Sequence, residues 1–227
     1  MIGRKIPSHK KRYTLNRIAL SIVYCVVFLT AISTHAEVPQ SIKERHKSAQ
    51  DFMRAKVAVI LASDSKGPSH HNVAHYVKEV LENKGHTLIS SEMVDNEESA
   101  LQKAIGKALN NKANTILVIG GTGIASRDNT LEVVEPLFSK RLPGYGEMLR
   151  FLSYEKWQDL IEKGELPLLN VLTRATAGII NGGQAVLFTL PGSPDGVELG
   201  LTKIILPVLP NIIYYLEVGD DEIKLPQ

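Results

Sequence analysis

Cysteine is almost missing from this chain: there is one in 227 residues, Cys25. It stands in the first 40 residues, so the remainder forms no disulfide and holds no metal through thiolates. No lysine follows the glycines at 120, 121 and 123, which excludes a Walker A loop. The third glycine of a dinucleotide fingerprint is missing too, because Ser126 occupies its place. His71 and His75 lie four apart, yet the glutamate of an HExxH zinc motif is absent and no third ligand accompanies them. The chain has no internal repeat and no low-complexity tract. Nor does it have a basic stripe. Residues 1–50 carry nine Lys and Arg against two acids, whereas residues 51–227 carry 17 against 22. A mildly acidic domain of this kind argues against a nucleic-acid partner, whose binding depends on phosphate neutralisation.

The excess of positive charge is confined to a leader. Residues 1–17 are basic, residues 18–34 carry no charge, and "THA" precedes Glu37. This pattern reads in three ways. It is a secretory signal, a short membrane anchor, or an unused upstream start with the protein beginning at Met53 or near Ser41. Membrane association runs only through residues 18–34. The resulting division is a leader over 1–40, an arm over 41–55 and a domain over 56–227. At about 170 residues the domain is large enough to bury a core without covalent staples.

Within the domain, strand and helix signals alternate. "KVAVILA" (56–62) is a buried strand, and residues 71–85 place Val73, Val77, Val80 and Leu81 on one helical face. "HTLISSEMV" (86–94) is a second strand. Asp95 with Glu98 reads as a capping box that opens a helix through Leu101, Ala104, Ile105, Ala108 and Leu109. "TILVI" (115–119) is a third strand, followed by "GGTGIASRD" and a helix bearing Val133, Val134 and Leu137. "AVLFTL" (185–190) runs into "PGSPDG", and "VELGLTKIILPVL" forms the next helix. The tail "VLPNIIYYL" reads as a final packed strand or an oligomer contact. This alternation predicts an α/β fold, a mostly parallel sheet with helices on both faces. Ligands of such sheets bind outside the carboxyl ends of the strands.

Taken residue by residue, the loops at those ends each allow two readings. The glycines at 120, 121 and 123 are an anion cradle or plain strand–helix punctuation. Asp95 is a site acid or a helix cap, and Asp128 or Thr130 can cap the following helix in the same way. Arg174 pairs with a phosphate or with a neighbouring carboxylate. "LPGSP" is a stiffened ligand loop or an ordinary turn. Tyr154 and Trp157 read as core or interface residues.

Four segments in fixed order carry a resemblance: "GGTGIASRDNT", "LPGYGEMLRFLSYE" (142–155), "LTRATAG" (172–178) and "LPGSP" (190–194). Together they resemble the MoaB/MogA family of molybdenum-cofactor biosynthesis, from about residue 56 to about residue 216, and residues 41–50 resemble the arm of MoaB-like members. The resemblance implies a three-layer α/β/α fold, assembly as a homotrimer or dimer of trimers, and a cytoplasmic location. It also implies binding of molybdopterin and ATP with Mg2+, and adenylylation of molybdopterin with release of pyrophosphate. Carried onto this sequence, it implies Asp95 and Asp128 as the catalytic, metal-linked acids. It implies Gly120, Gly121, Thr122 and Gly123 as phosphate contacts, and Pro191, Gly192, Ser193 and Pro194 as contacts to the pterin or its phosphate. Ser63, Asp64 and Arg174 complete the candidates. Two departures stand out. The family's Asp-x-Ser-Gly opening of the first helix is replaced by "KGPSHH", with His70 in the glycine position, which favours the alternative of a non-catalytic molybdopterin-binding or scaffold relative. Residues 158–170 form a longer link than in compact members, suited to contact with a neighbouring subunit.

Overall fold

A computed structural model describes residues 40–64, 68–165 and 172–218. The chain divides into two units at Glu44/Arg45, and of the first unit only Gln40–Glu44 is described. The expectations for the leader therefore lie outside the described residues. So do those for residues 166–170 of the link and for the side chains of "KGPSHH".

In chain order the elements are α1 (Gln40–Phe52), β1 (Lys56–Ala62), α2 (Pro68–Asn83), β2 (Thr87–Val94), α3 (Glu98–Asn110) and β3 (Thr115–Ile119). They continue with α4 (Thr130–Val134), β4 (Lys140–Arg141), α5 (Pro143–Glu162), β5 (Ala177–Ile180) and β6 (Ala185–Leu190). Last come α6 (Pro194–Leu199), a π-helical stretch (Gly200–Ile205) and α7 (Leu206–Val218). The six strands form one sheet in the order β2-β1-β3-β6-β5-β4. The first four run parallel, whereas β5 pairs antiparallel with both β6 and β4. The sheet is thus mostly parallel, as the alternation of elements predicts.

Period-two side-chain alternation sends the apolar strands to two separate cores. Val57, Val59 and Leu61 of β1 pack on one face with Val77 and Leu81 of α2, Leu149 of α5 and the C-terminal helical run. Ala58, Ile60 and Ala62 pack on the other face with Leu101, Ala104, Ile105 and Ala108 of α3 and Val133 and Val134 of α4. Coverage of both faces explains why β1, β3 and β6 read as unbroken apolar runs rather than as alternating ones. The result is three layers.

Two expectations need correction. The tail is not a strand: residues 206–218 are helical, with Leu209 and Ile213 fully buried four apart and Tyr215 half-exposed. A strand that buried Leu209 and Ile213 would bury Tyr215 as well, so only helical spacing fits this pattern. The capping box is absent too. The residue before α3 is Glu97, with no side-chain cap, because the chain takes two further residues past Asp95 before it turns into the helix. The helical run Pro194–Glu217 is long and apolar enough to cross a membrane by length and composition alone, but Leu201, Ile205, Leu209 and Ile213 within it are core residues.

Candidate functional site

Because β1, β2, β3 and β6 are parallel, their carboxyl ends share one edge. The order places β2 on one side of β1 and β3 on the other, so the crevice of the switch point opens beside β1. A cleft of about 700 Å³ lies there. The loop after β1 brings Ser63 and Asp64, and the loop after β2 brings Asn96. The turn after β3 brings Gly120–Gly123 and Asp128, and the loop after β6 brings Pro191, Gly192 and Ser193.

Local chemistry fixes each piece. The Gly120 N–H donates to the Leu190 carbonyl at 2.9 Å, which locks the glycine turn against the end of β6. Gly120 has φ +105°, and a Cβ there would run into the backbone carbonyl of Ala62, so both conformation and space demand glycine. A Cβ on Gly123 would stand 2.6 Å from Oδ2 of Asp128. That carboxylate accepts from the Ala125 N–H at 2.9 Å, and the Asp128 N–H returns to the Ala125 carbonyl at 2.9 Å, closing a turn over 125–128.

The carbonyls of the glycine turn are occupied. Gly121 O accepts from the Thr130 N–H, Thr122 O from the Arg174 N–H, and Gly123 O from Nε of Arg174. The N–H groups of Gly121, Thr122 and Gly123 have no acceptor among the described residues. A turn whose carbonyls are tied back while its N–H groups stay unpaired beside a cleft has the donors that an anion would need.

The candidate acids divide. Asp128 and Asp64 line the cleft, and Oδ1 of Asp64 accepts from the Asn96 N–H at 2.9 Å. Asp95 is exposed at the same sheet edge but is not among the lining residues, nor is it a helix cap. Asp128 does not cap α4 either, since Asn129 precedes that helix and Thr130 turns its hydroxyl to the Gly120 carbonyl at 2.8 Å. Asn96 is buried, and its side-chain oxygen has no partner among the described residues. Two carboxylates and an orphaned carboxamide oxygen suit a hard cation such as magnesium, which takes one or two carboxylates and completes its shell with water and phosphate oxygens.

Ser193 has a second task. Its Oγ accepts from the Gly196 N–H at 3.3 Å and so caps α6, with Pro194 in the first turn and away from the cleft lining. Arg174 is placed behind the glycine turn rather than in the cleft. It pairs with Glu132, and Nη2 donates to the Asp128 carbonyl at 2.7 Å. Each partner shifts the other: the Arg174 hydrogen bond holds the Glu132 carboxyl below the usual range, and Glu132 raises Arg174. Of the two roles open to Arg174, the neighbouring carboxylate is the one observed.

Sequence reasoning passed over three polar lining residues, Asn96, Arg127 and Thr173. Each stands one position from a residue it did single out: Asp95, Asp128 and Arg174. Successive residues of a loop face different directions, and a letter pattern does not carry that direction. For Arg127 a signal was present, since it lies inside the quoted "RD" pair.

Comparison with known proteins gives the chain its family. The family described as "Probable molybdopterin binding domain" matches residues 58–211. The chain is 35% identical over 174 residues to Molybdenum cofactor biosynthesis protein B of Bacillus subtilis (strain 168), covering 76% of this chain and 95% of that protein. It is 33% identical over 177 residues to the protein of the same name from Bacillus anthracis, covering 78% and 98%. A crystal structure of Molybdenum cofactor biosynthesis protein B superposes with a TM-score of 0.65 at 30% identity, covering 73% of this chain and 98% of that one. The tungsten cofactor synthesizing protein MoaB from Pyrococcus furiosus superposes with a TM-score of 0.59 at 32% identity, covering 72% and 97%.

Proposed function

Because this chain belongs to the MoaB/MogA family of molybdopterin binding domains and so to molybdenum cofactor biosynthesis, we propose that it adenylylates molybdopterin with Mg-ATP and releases pyrophosphate. The observation that carries this reading is the set of unpaired N–H groups at Gly121, Thr122 and Gly123, residues that line the same cleft as Asp128. Adenylyl transfer needs an acceptor phosphate held in line with the α-phosphorus of ATP, and positioning supplies most of such a rate enhancement. The glycine turn holds phosphate oxygens through its backbone. The Pro191–Ser193 loop, stiffened by Pro191 and anchored by the Ser193 cap, stands beside the glycine turn and takes the pterin end of the acceptor. Magnesium, when bound, offsets the charge that builds on the leaving pyrophosphate. Asp128 and Asp64 on the cleft wall are the carboxylates that would hold it, with the Asn96 side-chain oxygen beside them, whereas Asp95 stands outside the lining.

Both substrates belong to the cytoplasm, and we place the domain there. The homotrimer or dimer of trimers belongs to the same proposal, and Met148 and Phe151, three apart and exposed on α5, are apolar surface for such a contact.

The test is pyrophosphate release from molybdopterin and ATP in the presence of magnesium, with Asp128→Asn run alongside. Asparagine keeps the shape and the bond from Ala125 while removing the charge. Turnover should fall about 100-fold or more, the cost typical of deleting one electrostatic stabiliser. Undiminished release in the variant would remove Asp128 from the metal. Binding of molybdopterin without release from the unaltered protein would make the chain a non-catalytic binding relative.

A further inference from the structure

The two arginines at the glycine turn divide one task between them. We infer that Arg127 is the cation that meets the phosphate of the bound ligand, while Arg174 is a positioning residue that holds the loop carrying it. The inference rests on the reading above that the cleft binds phosphorylated substrates.

The geometry of Arg174 turns it away from the cleft. Its main-chain N–H is given to the Thr122 carbonyl at 2.8 Å, and Nε to the Gly123 carbonyl at 2.8 Å. Nη2 is given to the Asp128 carbonyl at 2.7 Å, and Nη1 to Glu132. Most of its donors are therefore committed, and the Glu132 carboxylate balances its charge. The side chain faces a different recess, which it shares with Glu132, Glu135 and Arg141. Arg141 is itself paired with Glu135 at 3.0 Å.

Arg127 is the converse. Among the described residues that line the cleft it is the one cation, beside the carboxylates of Asp64 and Asp128. It is exposed and has neither an ion pair nor a side-chain hydrogen bond among the described residues. A cleft with two acids repels a phosphate, so a guanidinium left unneutralised at its rim has a clear electrostatic use. The carbonyls that Arg174 grips belong to Gly123 and Asp128, the two residues that flank the segment 124–127. The Ala125–Asp128 turn closes that segment from within. Arg174 thus fixes both feet of the loop on which Arg127 stands.

The phosphate can be that of the pterin or those of ATP, and a chemical cycle separates the two. Equilibrium binding to the full chain is measured for two pairs of ligands: molybdopterin against the same pterin lacking its phosphate, and Mg-ATP against adenosine. For Arg127→Gln we expect about tenfold weaker binding of the phosphorylated member of one pair and no change in its phosphate-free partner, in line with loss of one charge-assisted hydrogen bond. The pair affected identifies the source. Arg127→Lys should recover part of the loss, because a point charge still attracts phosphate. Arg174→Gln should weaken both members of a pair alike, and Arg174→Lys should give no recovery, since the fork that spans two carbonyls is gone. Near-ultraviolet circular dichroism of each variant checks that the fold persists.

Equal loss for phosphorylated and phosphate-free ligands in Arg127→Gln would overturn the assignment, as would selective loss in Arg174→Gln. If the unaltered chain binds no phosphorylated ligand better than its phosphate-free counterpart, the phosphate reading of the cleft fails together with it.

Discussion

At the scale of single residues, the site depends on small departures from ordinary backbone. Gly120 combines φ +105° with a carbonyl where a Cβ would lie, and that carbonyl belongs to Ala62, the last residue of β1. Backbone cannot yield as the end of a flexible side chain can. Gly120→Ala is expected to cost about 3 kcal/mol in urea denaturation, from a strained dihedral and overpacking combined. A cost under about 0.5 kcal/mol would mean that the turn relaxes freely and that its geometry is not specified. The glycines were legible as a turn because they sit between an apolar run and an amphipathic one. The direction of their N–H groups was not legible. It follows from where Thr130 and Arg174 place their donors, and Arg174 lies some 50 positions further along the chain.

At the scale of elements, strand identity followed from composition, whereas the tail did not. β1, β3 and β6 are short, β-branched and bounded by loop residues, so their runs have one sensible reading. The C-terminal run is apolar at nearly every position, and a pattern without a polar face has no visible period. Packing against β6 supplies the period, burying Leu201, Ile205, Leu209 and Ile213 at steps of four. Leu209→Ala should therefore destabilise by about 2–5 kcal/mol, the range for truncating a buried leucine. Val208→Ala, at a position 41% exposed, should remain within about 0.5 kcal/mol. Equal effects in thermal unfolding would contradict the helical face. The helix α5 ties the same core to the site edge, because the buried Tyr145 hydroxyl donates to the Thr189 carbonyl at 2.8 Å while its ring packs edge-on against Phe188.

At the scale of the whole molecule, one buried histidine makes stability depend on pH. His86 begins the approach to β2 and is 5% exposed, and its Nδ1 accepts from the Ala55 N–H at 3.2 Å. Burial lowers its pKa first, and the charge of Arg54 lowers it further. A histidine that is neutral when folded binds fewer protons than its unfolded counterpart. Its contribution is therefore complete above the unfolded value near 6.5 and is lost as pH falls from there toward the depressed folded value. The slope should approach about 1.4 kcal/mol per pH unit in that window. His86→Gln should flatten this part of the curve, and an unchanged slope in the variant would assign it to other groups. Hydrophobic period and glycine placement are local properties, so the α/β class, most strands of the sheet and the loops that meet at the cleft were legible in the chain alone. Only the tertiary structure decided that Asn96 rather than Asp95 faces the cleft and that Arg174 stands behind the turn as a clamp while Arg127 stands in front of it. Those outcomes depend on which side of a loop a residue faces once distant segments have packed, a direction that no local pattern of residues encodes.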